Sequence, residues 1–181
     1  MKDALAIHRL LLERETLHEI VRLPRAIAHA DELPEVLGLP PGRCLATRVY
    51  AFSTTSSVQR FLAAVVVEAG SAPSWESLRR ALGAHSVRPA PADLVNHATE
   101  YAADLVAPLL LPQSMKILID QHIVNVLHDD GVAYTVTGEP CTALGIRTRD
   151  LFALSGAKPV DLGKVEEVGL TGVIPALRSS P

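Results

Sequence analysis

The sequence predicts a single α+β domain, a central mixed β-sheet with helices packed on it. Three observations point there. Helix-like and strand-like segments follow one another irregularly, without a strict β-α-β alternation. Residues 61–67 (FLAAVVV) form a continuous apolar run, which suits a strand covered on both faces. Asp130-Gly131 lies between two β-rich runs, a hairpin signal. A length of 181 residues fits one domain. Only 4% of the residues are aromatic, so the core must be aliphatic.

Taken in order, residues 2–14 place Leu5, Ile7, Leu10, Leu11 and Leu12 on a broad helical face, with His8 at its rim. Residues 17–23 alternate apolar and polar and read as a first strand ended by Pro24. A short helix over 30–37 follows, capped by Asp31 and stopped by Gly38. After a proline turn, residues 43–51 read as a strand. Cys44, Ala46, Arg48 and Tyr50 share one of its faces, and Leu45, Thr47 and Val49 the other. Arg48 there is either snorkelling from an edge strand or pointing into a pocket.

Residues 53–59, rich in hydroxyls, read as an exposed loop leading to the apolar strand, which pairs with its predecessor. Ser74 caps a helix whose buried stripe is Trp75, Leu78 and Leu82, with Gly83 as its stop. A short strand at 86–88 and a helix over 91–99 come next, with His97 in an exposed or capping place on the latter. Residues 101–112 are apolar without a clean period and should lie against the body and line something. Residues 116–120 (KILID) are a core strand, and residues 121–137 a hairpin in which His122 and His128 share a face. Residues 138–145 form a loop. Thr148 caps a last helix that packs Leu151, Phe152 and Leu154 inward and ends at Gly156.

Composition excludes more than it identifies. A net charge of −3 sets up no global field for nucleic acid, so any RNA contact must be local. Cys44 and Cys141 have no CxxC spacing and read as reduced thiols of a cytoplasmic protein. No run of about 18 apolar residues predicts a membrane span, and no secretory signal pattern opens the chain. Nucleotide-binding glycine loops, HExxH and GxSxG are all missing. No metal or cofactor is expected.

Several phrases, in their order, resemble the YbaK-type aminoacyl-tRNA deacylases, the family that includes the editing domain of bacterial prolyl-tRNA synthetases. They are LHEI, ADELPEVLGLPPGRCLATRV, SLRRALGAHSV, the Ala-Pro of 107–108, ILID, the Thr-Gly of 137–138 and DLFALSGAKPVDL. Between an N-terminal helix over 1–16, read from apolar spacing, and a loosely packed tail over 163–181, read from its glycine-rich, weakly patterned sequence, the resemblance implies an editing domain over 17–162. It implies a pocket for the aminoacyl end of tRNA, where the ester to the terminal ribose is hydrolysed.

Carried over residue by residue, the match is mixed. The family's lysine-threonine pair falls on Ala46-Thr47. Its glycine-xxx-proline loop falls on Asp104 to Pro108, including Ala107. Its serine-alanine-glycine phrase falls on Val136, Thr137 and Gly138, and a following aspartate on Ala143. The resemblance thus makes Thr47 and Arg48 the catalytic candidates. Ala46, Asp104, Ala107, Pro108, Thr137 and Gly138 become substrate-binding candidates. Arg48 or Lys116 could replace the lost cation, though a guanidinium is planar and fixed in charge, and Arg48 could instead pair with an acid. Three functions remain open: a free-standing deacylase of mischarged tRNA, a catalytically degenerate module binding an aminoacyl-tRNA end, a small ligand or a synthetase, or a metabolic protein binding a small acid.

Overall fold

The computed structural model describes residues 1–54 and 57–163, with the backbone alone at 57–60. Its helices are α1 (Ala4–Glu13), α2 (Leu33–Leu37), α3 (Trp75–Leu82), α4 (Ala92–Thr99), α5 (Gln121–Val126) and α6 (Thr148–Ser155). Its strands are β1 (His18–Arg22), β2 (Cys44–Thr54), β3 (Ser57–Glu68), β4 (Ser86–Pro89), β5 (Lys116–Asp120), β6 (Val132–Val136), β7 (Thr142–Arg147) and β8 (Lys158–Val160). All belong to one mixed sheet in the order β1-β7-β6-β2-β3-β5-β8, with β4 also on β2. The predicted α+β class and the mixed sheet are therefore correct.

The core has two layers, one on each face of the sheet. Cys44, Ala46, Tyr50 and Phe52 of β2 join Leu33 of α2 and Leu78 and Leu82 of α3. On the other face Leu45 and Val49 join Ile7 and Leu11 of α1, Val95 of α4, Ile123 of α5 and Leu151 of α6. The alternation read along β2 is thus right, but both of its faces are buried. β2 is central, so the edge-strand reading of Arg48 fails.

The strand β2 is covered unevenly on the side away from β3. β6 pairs with it in parallel only at Cys44 and Leu45, and β4 in antiparallel only from Tyr50 to Ser53. Between them the strand has no ladder partner on that side. Both interruptions have local causes. β4 ends at Pro89, followed two residues later by Pro91, and proline has no N–H for a ladder. Beyond β6 the chain turns away at Gly138, whose φ of +96° suits glycine. A Cβ there would stand 2.5 Å from the Lys2 carbonyl oxygen and 2.7 Å from the Tyr101 ring.

Several expectations are corrected. Residues 121–126 are helix, because the Asp120 carboxylate accepts the His122 N–H and starts α5 directly after β5. His122 and His128 therefore share no strand. Asp130-Gly131 turns from α5 into β6, and the hairpin is β6–β7, so residues 142–145 are strand rather than loop. The hydroxyl-rich 53–59 segment is largely strand, β2 reaching Thr54 and β3 starting at Ser57; residues 55–56 lie outside the described set. Thr148 is the first residue of α6 rather than its cap, and its hydroxyl donates to the Gly131 carbonyl. Ser74 makes no side-chain cap bond, and Trp75 is half exposed rather than core. Leu5 and Leu12 face outward on α1. The predicted tail beyond Gly163 lies outside the described residues.

Cys44 is buried and Cys141 exposed, both free. Burial pushes the Cys44 thiol up to about 11, which leaves almost no thiolate at neutral pH. Iodoacetamide should modify one thiol per native chain and the second only on unfolding, as read by intact mass. Gly138→Ala should lower stability by about 2–3 kcal/mol in urea denaturation, from strain at positive φ and the blocked Cβ.

Candidate active site

The unpaired stretch of β2 is the floor of a cleft of about 440 Å³. Strand alternation fixes what it presents. The Val49 carbonyl accepts the Ala90 N–H, so β2 residues of the same parity aim their backbone groups toward that side. The N–H and C=O of Thr47 thus face the opening left between β6 and β4. The Thr47 side chain is 6% exposed, and its Oγ1 has no hydrogen-bond partner among the described residues. A buried hydroxyl without a partner costs about 1–3 kcal/mol. The cleft above this opening is walled by Ala30, Ala46, Val49, Ala90 and Val95, and the Thr47 hydroxyl lies buried at its border.

Arg48 builds one wall. Its Nη2 donates to both Asp31 oxygens at 2.9 and 3.0 Å, and its Nε donates to the Ser71 carbonyl at 2.9 Å. Asp31 also accepts the Gly70 N–H at 2.8 Å. One ion pair thus ties the 3-10 turn Ala30–Glu32 and the 70–71 turn to β2. With both side chains about one-third exposed, it contributes on the order of 1 kcal/mol. Asp31 is a strut for Arg48, not the helix cap expected from the sequence.

At the mouth, Asp104 stands 3.7 Å from His29 Nδ1. The charges of Arg48 and Asp31 cancel, which leaves Asp104 to set the sign of the cleft. Tyr50 lines it too, and burial raises its phenol, so the ring keeps its proton at neutral pH.

The structure brings Ala46, Thr47, Arg48 and Asp104 together on this cleft. Ala107, Pro108, Thr137 and Gly138 are not among its lining residues. Ala107 is buried in the core. Pro108 follows it on a loop held by the Tyr101 hydroxyl, which donates to the Leu109 carbonyl at 3.0 Å. The Thr137 hydroxyl contacts that of Thr142 at 2.6 Å, and Gly138 packs on Tyr101. Lys116 lies over the Phe52 ring and lines a different depression, so it does not supply the missing cation here. Sequence reasoning missed His29, Asp31, Ser71 and Trp75 as cleft residues. The one available signal was Arg48 itself, an arginine among small neighbours that needed an acid.

A family model described as the aminoacyl-tRNA editing domain matches residues 24–154. The fold is similar to the crystal structure of the hypothetical protein APE2540, at a TM-score of 0.72 and 19% identity over 86% of this chain and 97% of that one. It is also similar to a candidate trans-editing enzyme for prolyl-tRNA synthetase, at 0.67 and 20% identity over 86% and 94%. A candidate signal-transduction protein from Marinobacter aquaeolei VT8 matches at 0.58 and 13% identity, over 88% of this chain but 30% of that longer one. No match to a curated protein was found. Among the described residues no helix is long and apolar enough to cross a membrane, and no group of three or more metal-ligating side chains occurs.

Thr47→Val keeps the β-branched shape and removes only the orphaned hydroxyl. It should raise stability by about 1 kcal/mol in urea denaturation, the opposite of what an ordinary core threonine would show.

Proposed function

The chain belongs to the aminoacyl-tRNA editing domain family, and from that premise we propose that it hydrolyses the ester of a mischarged tRNA. The observation that supports this most is the opening in the pairing of β2 at Thr47, a cleft-lining residue whose buried hydroxyl has no partner among the described residues. In this reading the acyl carbonyl lies over Thr47, and the Thr47 N–H and hydroxyl donate to its oxygen. Water adds to the carbonyl carbon, and the two donors stabilise the oxyanion that forms. The bond from the acyl carbon to the ribose oxygen then breaks. The ribose oxygen takes up a proton, and an amino acid and an intact tRNA end are released. An aminoacyl ester is already reactive, so placement next to water supplies much of the acceleration.

The charge pattern favours this substrate over a small acid. With Arg48 neutralised by Asp31, the carboxylate of Asp104 attracts the ammonium of an aminoacyl group. The same carboxylate repels the carboxylate of a free acid, and so also favours departure of the amino-acid product.

A second reading, a module that binds the aminoacyl end without turnover, has one specific observation behind it. Ala46 is 2% exposed where the resembling family carries lysine, and the Arg48 donors named above are committed to Asp31 and Ser71. A panel of mischarged tRNAs separates the two. The wild type should release the amino acid from at least one of them, Thr47→Val should cut kcat/KM about a hundredfold, and Ala46→Lys should increase release. If every ester survives both the wild type and Ala46→Lys while the tRNA still binds, the binding module is the correct description.

A further inference from the structure

We infer that Trp75 and the shallow depression beside it form a nucleobase subsite, which takes the terminal base of the tRNA acceptor end. The inference rests on the editing reading above, and it assigns a residue that the ester chemistry does not use. Trp75 opens α3 and is 52% exposed, although an indole buries more apolar surface than any other side chain when it can. Its ring stands on the boundary between two concavities. On one side is the cleft with Thr47; on the other is a depression of about 270 Å³ lined by Trp75, Glu76, Arg79, His85, Ser86 and Val87.

The Tyr50 ring meets the indole edge to face, with centroids 5.8 Å apart at 88°. That contact fixes the tilt of Trp75 and leaves half of it to solvent. A rigid, half-open aromatic face beside a polar rim suits a flat heteroaromatic ring with hydrogen-bonding edges. The rim supplies partners. The Ser86 hydroxyl bonds to that of Ser53 at 2.7 Å and retains capacity for a further bond. Arg79 makes no ion pair among the described residues, while its neighbour Glu76 is held by Arg80. An exposed guanidinium without an ion-pair partner among the described residues therefore stands at the rim, available to a phosphate. The adjacency of the two concavities matches the adjacency of a ribose ester to its own base.

The chain has one tryptophan, so its fluorescence reports this site alone. The full-length protein is titrated with the trinucleotide CCA and with the same trinucleotide lacking its 3′ base. Saturable quenching by CCA, at least about tenfold tighter than by the abasic form, is expected for one base–aromatic stack. In deacylation, Trp75→Ala should raise KM about tenfold with kcat little changed, and Trp75→Phe, which keeps a ring against Tyr50, should restore most of the loss. Absence of quenching, or equal quenching by the abasic trinucleotide, overturns the subsite. Quenching by CCA with no ester hydrolysed sinks the catalytic reading and leaves the subsite standing. Hydrolysis with fluorescence indifferent to CCA does the reverse.

Discussion

The structure depends on a sheet that fails to close along one strand. β2 is buried on both faces and fully paired on one side with β3. On its other side two short strands reach it from opposite ends and stop short of each other. A buried strand edge must find hydrogen-bond partners from somewhere. Here the opening holds Thr47, whose hydroxyl is orphaned as well. A second buried hydroxyl, that of Thr135, is also without a partner among the described residues, but only Thr47 of the two lines the cleft.

Much of the rest of the molecule maintains that opening. Residues 101–112 carry Ala103 and Asp104 to the cleft mouth and must stay in place without regular structure of their own beyond a 3-10 turn at Ala103–Leu105. They are tied down from the N-terminus. The Lys2 ammonium donates to the carbonyls of Thr99 at 2.9 Å and Leu110 at 2.6 Å, and the Tyr101 hydroxyl holds Leu109. Gly138 lets the end of β6 pass under Tyr101 at a distance no side chain permits. The glycine that the resemblance places in the substrate site therefore serves this close approach and does not line the cleft.

Charge is handled in an equally indirect way. Arg48 points into the cleft but commits its Nη2 to both oxygens of Asp31 and its Nε to the Ser71 carbonyl. It joins three segments of chain and brings no free positive charge. An arginine can do this because its planar fork bonds an acid and a carbonyl at once; a lysine on the same strand would present a point charge instead. With Ala46 beside it, the floor of the cleft carries no unpaired cation among the described residues, and Asp104 places a carboxylate at its mouth.

The sequence by itself determined the fold class, the pairing of β2 with β3, and the stops at Gly38, Gly83 and Gly156. Each follows from local stereochemistry or from apolar periodicity, and both are written along the chain. It misjudged α5 and the β6–β7 hairpin because a short apolar run fits helix or strand equally, and a cap at Asp120 tipped the balance. It also misread Trp75 as core and Asp31 as a cap. Only the tertiary structure decided that Arg48 meets Asp31, that Asp104 and Trp75 stand at the same cleft, and that Pro108 and Gly138 do not line it. Those facts depend on which strands leave β2 uncovered, and a gap between two pairing partners distant in sequence has no signature in the residues that border it.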